Sequence, residues 1–155
     1  MISDYEILPH TADLKIRAYG KNLEQVFSNM LKGMFESSHP EIVSKQPVTR
    51  EIRISARGPL RRSFSEASGS ALGGKSQNLE SLLVDFLSEA LYLSDVNNEA
   101  YFGVEFKKLT EKELDGEIKG EKIKGSQLEI KAVTWHDLEI KKEDKLWQAT
   151  VLFDI

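Results

Sequence analysis

The sequence predicts an α+β fold with a mostly antiparallel or mixed β-sheet, on the basis of three observations. Segments near both ends of the chain alternate between apolar and polar residues, as half-buried strands do. Two segments between them repeat apolar residues at helical spacing. The chain has 155 residues, 40% of them hydrophobic, which fits one domain over 1–155. We therefore expect a single domain in which two amphipathic helices pack on the sheet.

The N-terminal part predicts two strands, a helix and a third strand. "DYEILPH" is typical of a short strand that Pro9 stops, and "LKIRAYG" alternates up to Gly20. Asn22 can cap the following helix, with Gln25 placed to complete a capping-box-like pair. "SSHPE" ends that helix because a proline disfavours helix at the residue before it, and "TREIRISA" predicts the next strand. The apolar stripe of the helix comprises Leu23, Val26, Phe27, Met30, Leu31 and Met34.

Residues 57–75 predict a long surface loop, because they are rich in Ser, Gly and Arg and have no sustained period. "GSALGGKS", from Gly69 to Ser76, fits the pattern of a phosphate-binding loop. Such a loop needs an apolar strand before it, and the polar lead-in "RRSFSEAS" is not one, so we favour a flexible loop. Asn78 then caps a second helix. Its apolar stripe comprises Leu79, Leu82, Leu83, Phe86, Leu87, Ala90 and Leu91.

The rest of the chain predicts strands. They are "YFGVEFKKL", "LDGEIKGEKI", "QLEIKAVTW", "HDLEIKK" and "LWQATVLFDI", with "KKEDK" as a polar turn between the last two.

Composition excludes several classes of protein and site. The net charge of −4 and pI near 5.5 argue against a nucleic-acid binder that relies on bulk electrostatics. Without cysteine there are no disulfides, thiolate metal sites or cysteine nucleophiles. No apolar run approaches the roughly 18 residues of a membrane span, and "MISDYEILPH" lacks the regions of a signal peptide. We expect a soluble, intracellular protein.

Histidine and aspartate mark a candidate site near the N-terminus. His10 and Asp13 lie three residues apart in "PHTAD", and His136 lies in "VTWHD". The spacing at a bend does not force His10 and Asp13 together. The structural alternative is that Asp13 caps a turn while His10 hydrogen-bonds to the backbone.

The terminal strand adds two more acidic groups. Its alternation puts Asp154 on the face opposite the apolar one, beside the carboxylate of Ile155. If "HTAD" folds against this strand, Asp13 joins them, and each like-charge pair at about 4 Å costs roughly 4 kcal/mol. A cation or a protonated group would relieve this, and all-oxygen ligands favour Ca²⁺, Mg²⁺ or Mn²⁺. A solvated chain end without an ion is the alternative. The apolar face comprises Trp147, Ala149, Val151 and Phe153.

Lys131 is a third candidate. In "EIKAVTW" it shares a strand face with Val133, within an otherwise apolar segment. Such a lysine commonly extends its charged end to solvent. Less often, it offers a cation to a phosphate or to an acidic group of a partner.

Three segments together resemble the archease family. They are "YEILPHTADLKIRAYGKNLEQVFSNMLKGMF", "LESLLVDFLSEALYL" and "EIKAVTWHDLEI…WQATVLFDI", and they cover nearly the whole chain apart from residues 57–75. The specific signatures are "HTAD", "KAVT" followed by an aromatic residue and His, and a terminal "FD" followed by an aliphatic residue. The family usually has a shorter link before the second helix, so the Ser/Gly loop looks like an insertion.

The resemblance implies a function. Archeases are protein cofactors of RtcB, the tRNA-splicing ligase, and are not themselves enzymes. They promote GTP-dependent guanylylation of the ligase histidine and its repeated turnover, with tRNA engaged through the ligase, in the cytoplasm. The family's metal ligands carry over to Asp13, Asp154 and the carboxylate of Ile155. Lys131 matches a lysine important for activation, while His10 and His136 are neighbours of the site.

Two other functions remain as alternatives. One is a metal-dependent hydrolase or NTPase, using the acidic cluster or the Gly69–Ser76 loop. The other is a chaperone-like or RNA-associated interaction module using Arg57, Arg61 and Arg62, whose RNA binding would weaken steeply with salt. The acidic balance of the chain argues against the latter. The oligomeric state is not indicated by the sequence.

Overall fold

The computed structural model of the chain describes residues 3–55, 58–59 and 78–155. In chain order the elements of this part are β1 (Tyr5–Leu8), β2 (Leu14–Gly20), α1 (Leu23–Ser37), β3 (Pro40–Ser55), β4 (Gly58–Pro59), α2 (Leu79–Asn97), β5 (Glu99–Leu109), β6 (Leu114–Ser126), β7 (Ala132–Val133), β8 (Glu139–Glu143) and β9 (Leu146–Asp154).

The strands form two sheets. The first has the order β1-β2-β9-β7, with β8 also paired to β9, and the second has the order β4-β3-β6-β5. Every described pairing is antiparallel. The α+β class and the antiparallel pairing are thus confirmed. The division into two sheets was not foreseen, because alternation shows which face of a strand is buried but not which strand it joins.

Both helices begin at the caps that the sequence predicts. The Asn22 side chain accepts a hydrogen bond from the Gln25 N–H at 2.8 Å, and the Asn78 side chain accepts one from the Ser81 N–H at 2.8 Å. The Gln25 side chain accepts from the Lys21 N–H at 2.7 Å, one residue before the expected partner. Helix α2 ends where Asn98 takes a left-handed conformation, with φ of 55°.

The core extends between the two sheets. Helix α1 contacts β2 and β9 of the first sheet and β5 of the second, while α2 contacts β3 and β5 of the second and β7 and β8 of the first. The apolar stripes of the helices join the inward faces of the strands in a hydrophobic cluster. Because each helix contacts both sheets, the relative placement of the sheets depends on helix packing.

Two predicted strands have different bounds. The "TREIRISA" strand is the end of β3, which already begins at Pro40. In "QLEIKAVTW" only Ala132–Val133 is a strand. Gln127 and Leu128 instead donate their N–H groups to the carbonyls of His39 and Ser38 at 3.2 and 3.1 Å, at the end of α1. Because these two N–H groups bond to the end of α1, they are not available to pair with a neighbouring strand.

Little of the predicted 57–75 loop is described. Gly58 and Pro59 form β4, which pairs with Ser55 and Ile54 of β3. The remainder of the predicted loop, including its arginines, and the whole of Gly69–Ser76 lie outside the described residues. Within the described part, no helix combines the length and apolarity that crossing a membrane requires.

Candidate functional site

The C-terminal end of β9 is fixed from both sides. Phe153 pairs with Leu14 of β2 on one side and with Val133 of β7 on the other. On the β7 side, Thr134 donates both its N–H and its hydroxyl to the Leu152 carbonyl, each at 3.0 Å. Phe153 is fully buried, with Val151 and Ala149 in the same core cluster. The predicted apolar face is therefore confirmed, and this strand is central rather than frayed.

The register brings two predicted acidic residues to one end of this sheet. Asp13 immediately precedes Leu14, and Asp154 immediately follows Phe153, the partner of Leu14. Asp13 and Asp154 are therefore the next opposed positions of an antiparallel pair. Asp154 is exposed and Ile155 is 37% exposed, so the acidic groups at this end of β9 face solvent. Of "HTAD", the register therefore places Asp13 beside the end of the terminal strand.

His10 lies beside Asp13. Its Nδ1 is 3.8 Å from Asp13 Oδ2, which makes an ion pair only when the imidazole is protonated. The same nitrogen is 3.2 Å from the carbonyl oxygen of Thr11. Ala12 takes a left-handed conformation, with φ of 73°, within the bend that joins the two side chains. His10 thus makes the backbone contact of the structural alternative, and it also lies near Asp13, which the spacing alone did not require.

Lys131 lies on the other side of β9. Its N–H donates to the Asp154 carbonyl at 2.8 Å, so its backbone is held against the acidic end of the strand. Its side chain is exposed and lines a groove beside α2. Among the described residues it forms no ion pair. An exposed lysine side chain therefore starts from a backbone position that is hydrogen-bonded to Asp154.

The turn carrying His136 contains a contact that sequence reasoning missed. The His136 N–H donates to the Thr134 hydroxyl at 3.2 Å, and the Asp137 carboxylate lies 3.5 Å from the Lys15 ammonium of β2. Lys15 pairs with Leu152, so this ion pair spans β9. No spacing rule could have found it, because Lys15 and Asp137 are far apart in the chain. His136 is exposed at this turn.

The ligand set that the resemblance implies has the chemistry of a hard-cation site. Asp13, Asp154 and the Ile155 carboxylate would offer only oxygen. Among the described residues, no three His, Cys, Asp or Glu side chains group closely enough to hold a metal. The set proposed from the sequence has only two such side chains, Asp13 and Asp154, and completes its ligands with the Ile155 carboxylate.

A second charged cluster, also missed, lies in the other sheet. Glu99 is fully buried and accepts two hydrogen bonds from Arg50 at 2.9 and 2.8 Å and one from the Tyr101 hydroxyl at 2.7 Å. Hydrogen bonding to Arg50 lowers the pKa of Glu99 to about 2, against the opposing effect of burial. Burial, together with the bond to Glu99, raises the pKa of Tyr101. The cluster joins β3 to β5 and is structural in character.

Comparison with known proteins identifies the family. The model of the Archease protein family matches residues 5–155. The chain belongs to the archease family. Proteins named archease from Methanosarcina barkeri and Methanosarcina mazei are 38% and 35% identical, each over 97% of this chain and 95% of theirs. The archease of Pyrococcus furiosus is 33% identical over 97% of this chain and 98% of its own.

Two solved structures share the archease fold. The solution structure of protein 1598 from Methanobacterium thermoautotrophicum has a TM-score of 0.62 at 27% identity, covering 98% of this chain and 99% of that one. A Thermotoga maritima crystal structure, described as an archease and possible chaperone, has a TM-score of 0.58 and covers 96% and 94%. At 17% identity, the latter likeness shows the fold alone.

The archease match spans the whole candidate site. It begins at Tyr5, before His10 and Asp13, and ends at Ile155. The acidic end of β9 and its flanking segments thus all lie in the part of the chain that the archease family model matches.

Proposed function

We propose that the protein is an activator of an RtcB-type tRNA-splicing ligase and promotes GTP-dependent guanylylation of the ligase histidine. Membership of the archease family supports this, together with one geometric observation. Residues that the resemblance implicates, from three separate parts of the chain, adjoin at one exposed end of the first sheet. Side chains held at the ends of paired strands are well suited to positioning charge, because the sheet fixes their backbone before any partner binds.

The proposal includes a cation site made of Asp13, Asp154 and the carboxylate of Ile155. Adjacent carboxylates repel one another, and Ca²⁺, Mg²⁺ or Mn²⁺ at this position would supply the positive charge that offsets the repulsion. The β2–β9 register puts Asp13 and Asp154 at opposed positions, which supports a ligand shared between them. His10, beside Asp13, helps orient that carboxylate.

Lys131 supplies a cation of its own in this proposal. Its main-chain N–H is hydrogen-bonded to the Asp154 carbonyl, and its side chain is exposed. The ammonium group can bind a phosphate of the GTP used by the ligase or an acidic group of the ligase. The chain itself makes and breaks no covalent bond. It acts on the ligase as a protein cofactor, with tRNA engaged only by the ligase.

The test compares site variants with a matched control. Asp13→Ala and Asp154→Ala remove the acidic pair, whereas Asp115→Ala removes a partly exposed aspartate of the second sheet, which forms an ion pair with Arg53 at 4.0 Å. We expect the initial rate of ligase guanylylation to fall by about tenfold or more in the first two variants and to stay unchanged in the third. Full activation by folded Asp13→Ala and Asp154→Ala proteins would refute the proposed role of the acidic pair.

A further inference from the structure

A groove of about 740 Å³ lies beside the acidic end of β9. It runs between the C-terminal half of α2 and the chain that leads from β6 into β7. Leu91, Leu128 and Ile130 form part of its lining, and all three pack against the hydrophobic core. This volume lies within the range of clefts that bind ligands or peptide side chains.

Charged side chains line the same groove. Asp95 and Glu129 supply two negative charges and Lys131 supplies one positive charge, which leaves a net charge of −1. All three are exposed, and none forms an ion pair with another described residue. Tyr92, 42% exposed, adds an aromatic ring. An apolar floor with carboxylates and an aromatic ring at its rim suits a long cationic side chain.

We propose that this groove docks an extended basic segment of the ligase, with an arginine or lysine held between Asp95 and Glu129. The aliphatic stem of that residue would lie along Leu91 and Leu128. Its charged end would then hydrogen-bond to the carboxylates. This inference rests on the proposed function, because it names the surface by which the same partner is held.

Charge and position both favour this occupant. A nucleotide or an RNA would bring phosphates against Asp95 and Glu129, which repel them, with only Lys131 to attract them. Lys131 belongs both to the groove and to the backbone that hydrogen-bonds to Asp154. A segment bound in the groove therefore directs its protein toward the exposed end of the first sheet.

The test separates docking from activation. Asp95→Asn and Glu129→Gln remove the groove charges with little change of shape. Glu111→Gln is the control, because Glu111 lies in the exposed turn between β5 and β6, at the far end of that hairpin from the groove. Each full-length variant is titrated into the ligase with GTP at low and high salt. The half-saturating concentration and the saturating guanylylation rate are recorded, and circular dichroism checks folding.

We expect each groove variant to raise the half-saturating concentration roughly two- to fivefold and the double variant about tenfold. The saturating rate should stay unchanged, and the rise should shrink at high salt because exposed charges are screened. The control should match the wild-type chain throughout.

Unchanged half-saturation in the double variant, while the wild-type chain still activates the ligase, would overturn the docking inference and leave the proposed function standing. Direct binding of GTP or tRNA that the double variant loses would overturn it as well. Failure of the wild-type chain to activate the ligase at any concentration would instead overturn the proposed function, and the docking inference with it.

Discussion

Single residues in this protein carry charge in two contrasting settings. Glu99 is fully buried and charged, because Arg50 and Tyr101 satisfy its oxygens. Asp13 and Asp154 lie at a solvent-facing sheet end, where His10 is the only described side chain within ion-pair distance of either carboxylate. A buried and fully bonded carboxylate stabilises the fold. The acidic end of β9 has no such network of partners, and the cation site proposed there would give these carboxylates a binding role.

The Glu99 cluster predicts how stability depends on pH. The folded pKa of Glu99 is about 2, against an ordinary value of 4.5, so its contribution is complete above about pH 4.5 and is lost as the pH falls toward 2. That difference corresponds to roughly 3 kcal/mol. We expect Glu99→Gln to lower the free energy of unfolding at pH 7 by about this amount and to flatten its dependence on pH between 5 and 2. Denaturant unfolding at several pH values measures both.

The matched control is Glu51→Gln, which removes an exposed carboxylate from β3. It should change the unfolding free energy by less than about 0.5 kcal/mol. Equal effects of the two substitutions would show that the buried carboxylate contributes no more to stability than an exposed one.

The Ile155 carboxylate yields a prediction about the proposed cation site. One glycine appended after Ile155 moves the terminal carboxylate by a residue, while the buried face of β9 stays intact. We expect Mn²⁺ or Ca²⁺ affinity, measured by titration calorimetry, to fall by about tenfold or more, since losing a ligand costs at least as much as losing an outer partner. The melting temperature without metal should not change. Unchanged affinity would count against the terminal carboxylate as a ligand.

At the scale of elements, patterns among neighbouring residues predicted the structure well, whereas contacts between distant segments were not predicted. The helix caps at Asn22 and Asn78 and the buried face of β9 follow from a few neighbouring residues. The strand predicted around Gln127 failed because its N–H groups bond to the end of α1, which is distant in sequence. The Lys15–Asp137 pair and the Asp13–Asp154 adjacency depend on β2 pairing with β9. Alternation alone does not choose that partner.

Strand β6 requires glycine at Gly120 but not at Gly125. A Cβ at Gly120 would overlap the carbonyl oxygen of Ala100 in β5, close to the register shift after Tyr101. A Cβ at Gly125 would meet nothing within 4 Å. We expect Gly120→Ala to destabilise the protein by about 2 kcal/mol or more, because the backbones of β5 and β6 must separate.

Gly125→Ala is the control and should cost less than about 1 kcal/mol. Thermal or denaturant unfolding of the two variants measures the difference. Equal stabilities would contradict the close approach of β5 to β6 at Gly120.

At the scale of the whole molecule, two sheets share a core that the helices connect. Because α1 and α2 each contact both sheets, the first sheet presents its acidic end from a rigid support. The groove beside α2 opens next to that end, at Lys131. Family membership and the fold are established by the archease comparisons. The proposed activity adds that this exposed end acts on another protein.

The most direct test of the proposed activity is repeated guanylylation of the ligase by a small amount of this protein. Purified RtcB-type ligase, GTP and a divalent cation are incubated with and without one part of the chain to ten parts of ligase. An activator that is released after each event should guanylylate many ligase molecules per molecule of protein, and Asp154→Ala should not. Guanylylation no faster than without the protein, or limited to one ligase per chain, would contradict the account.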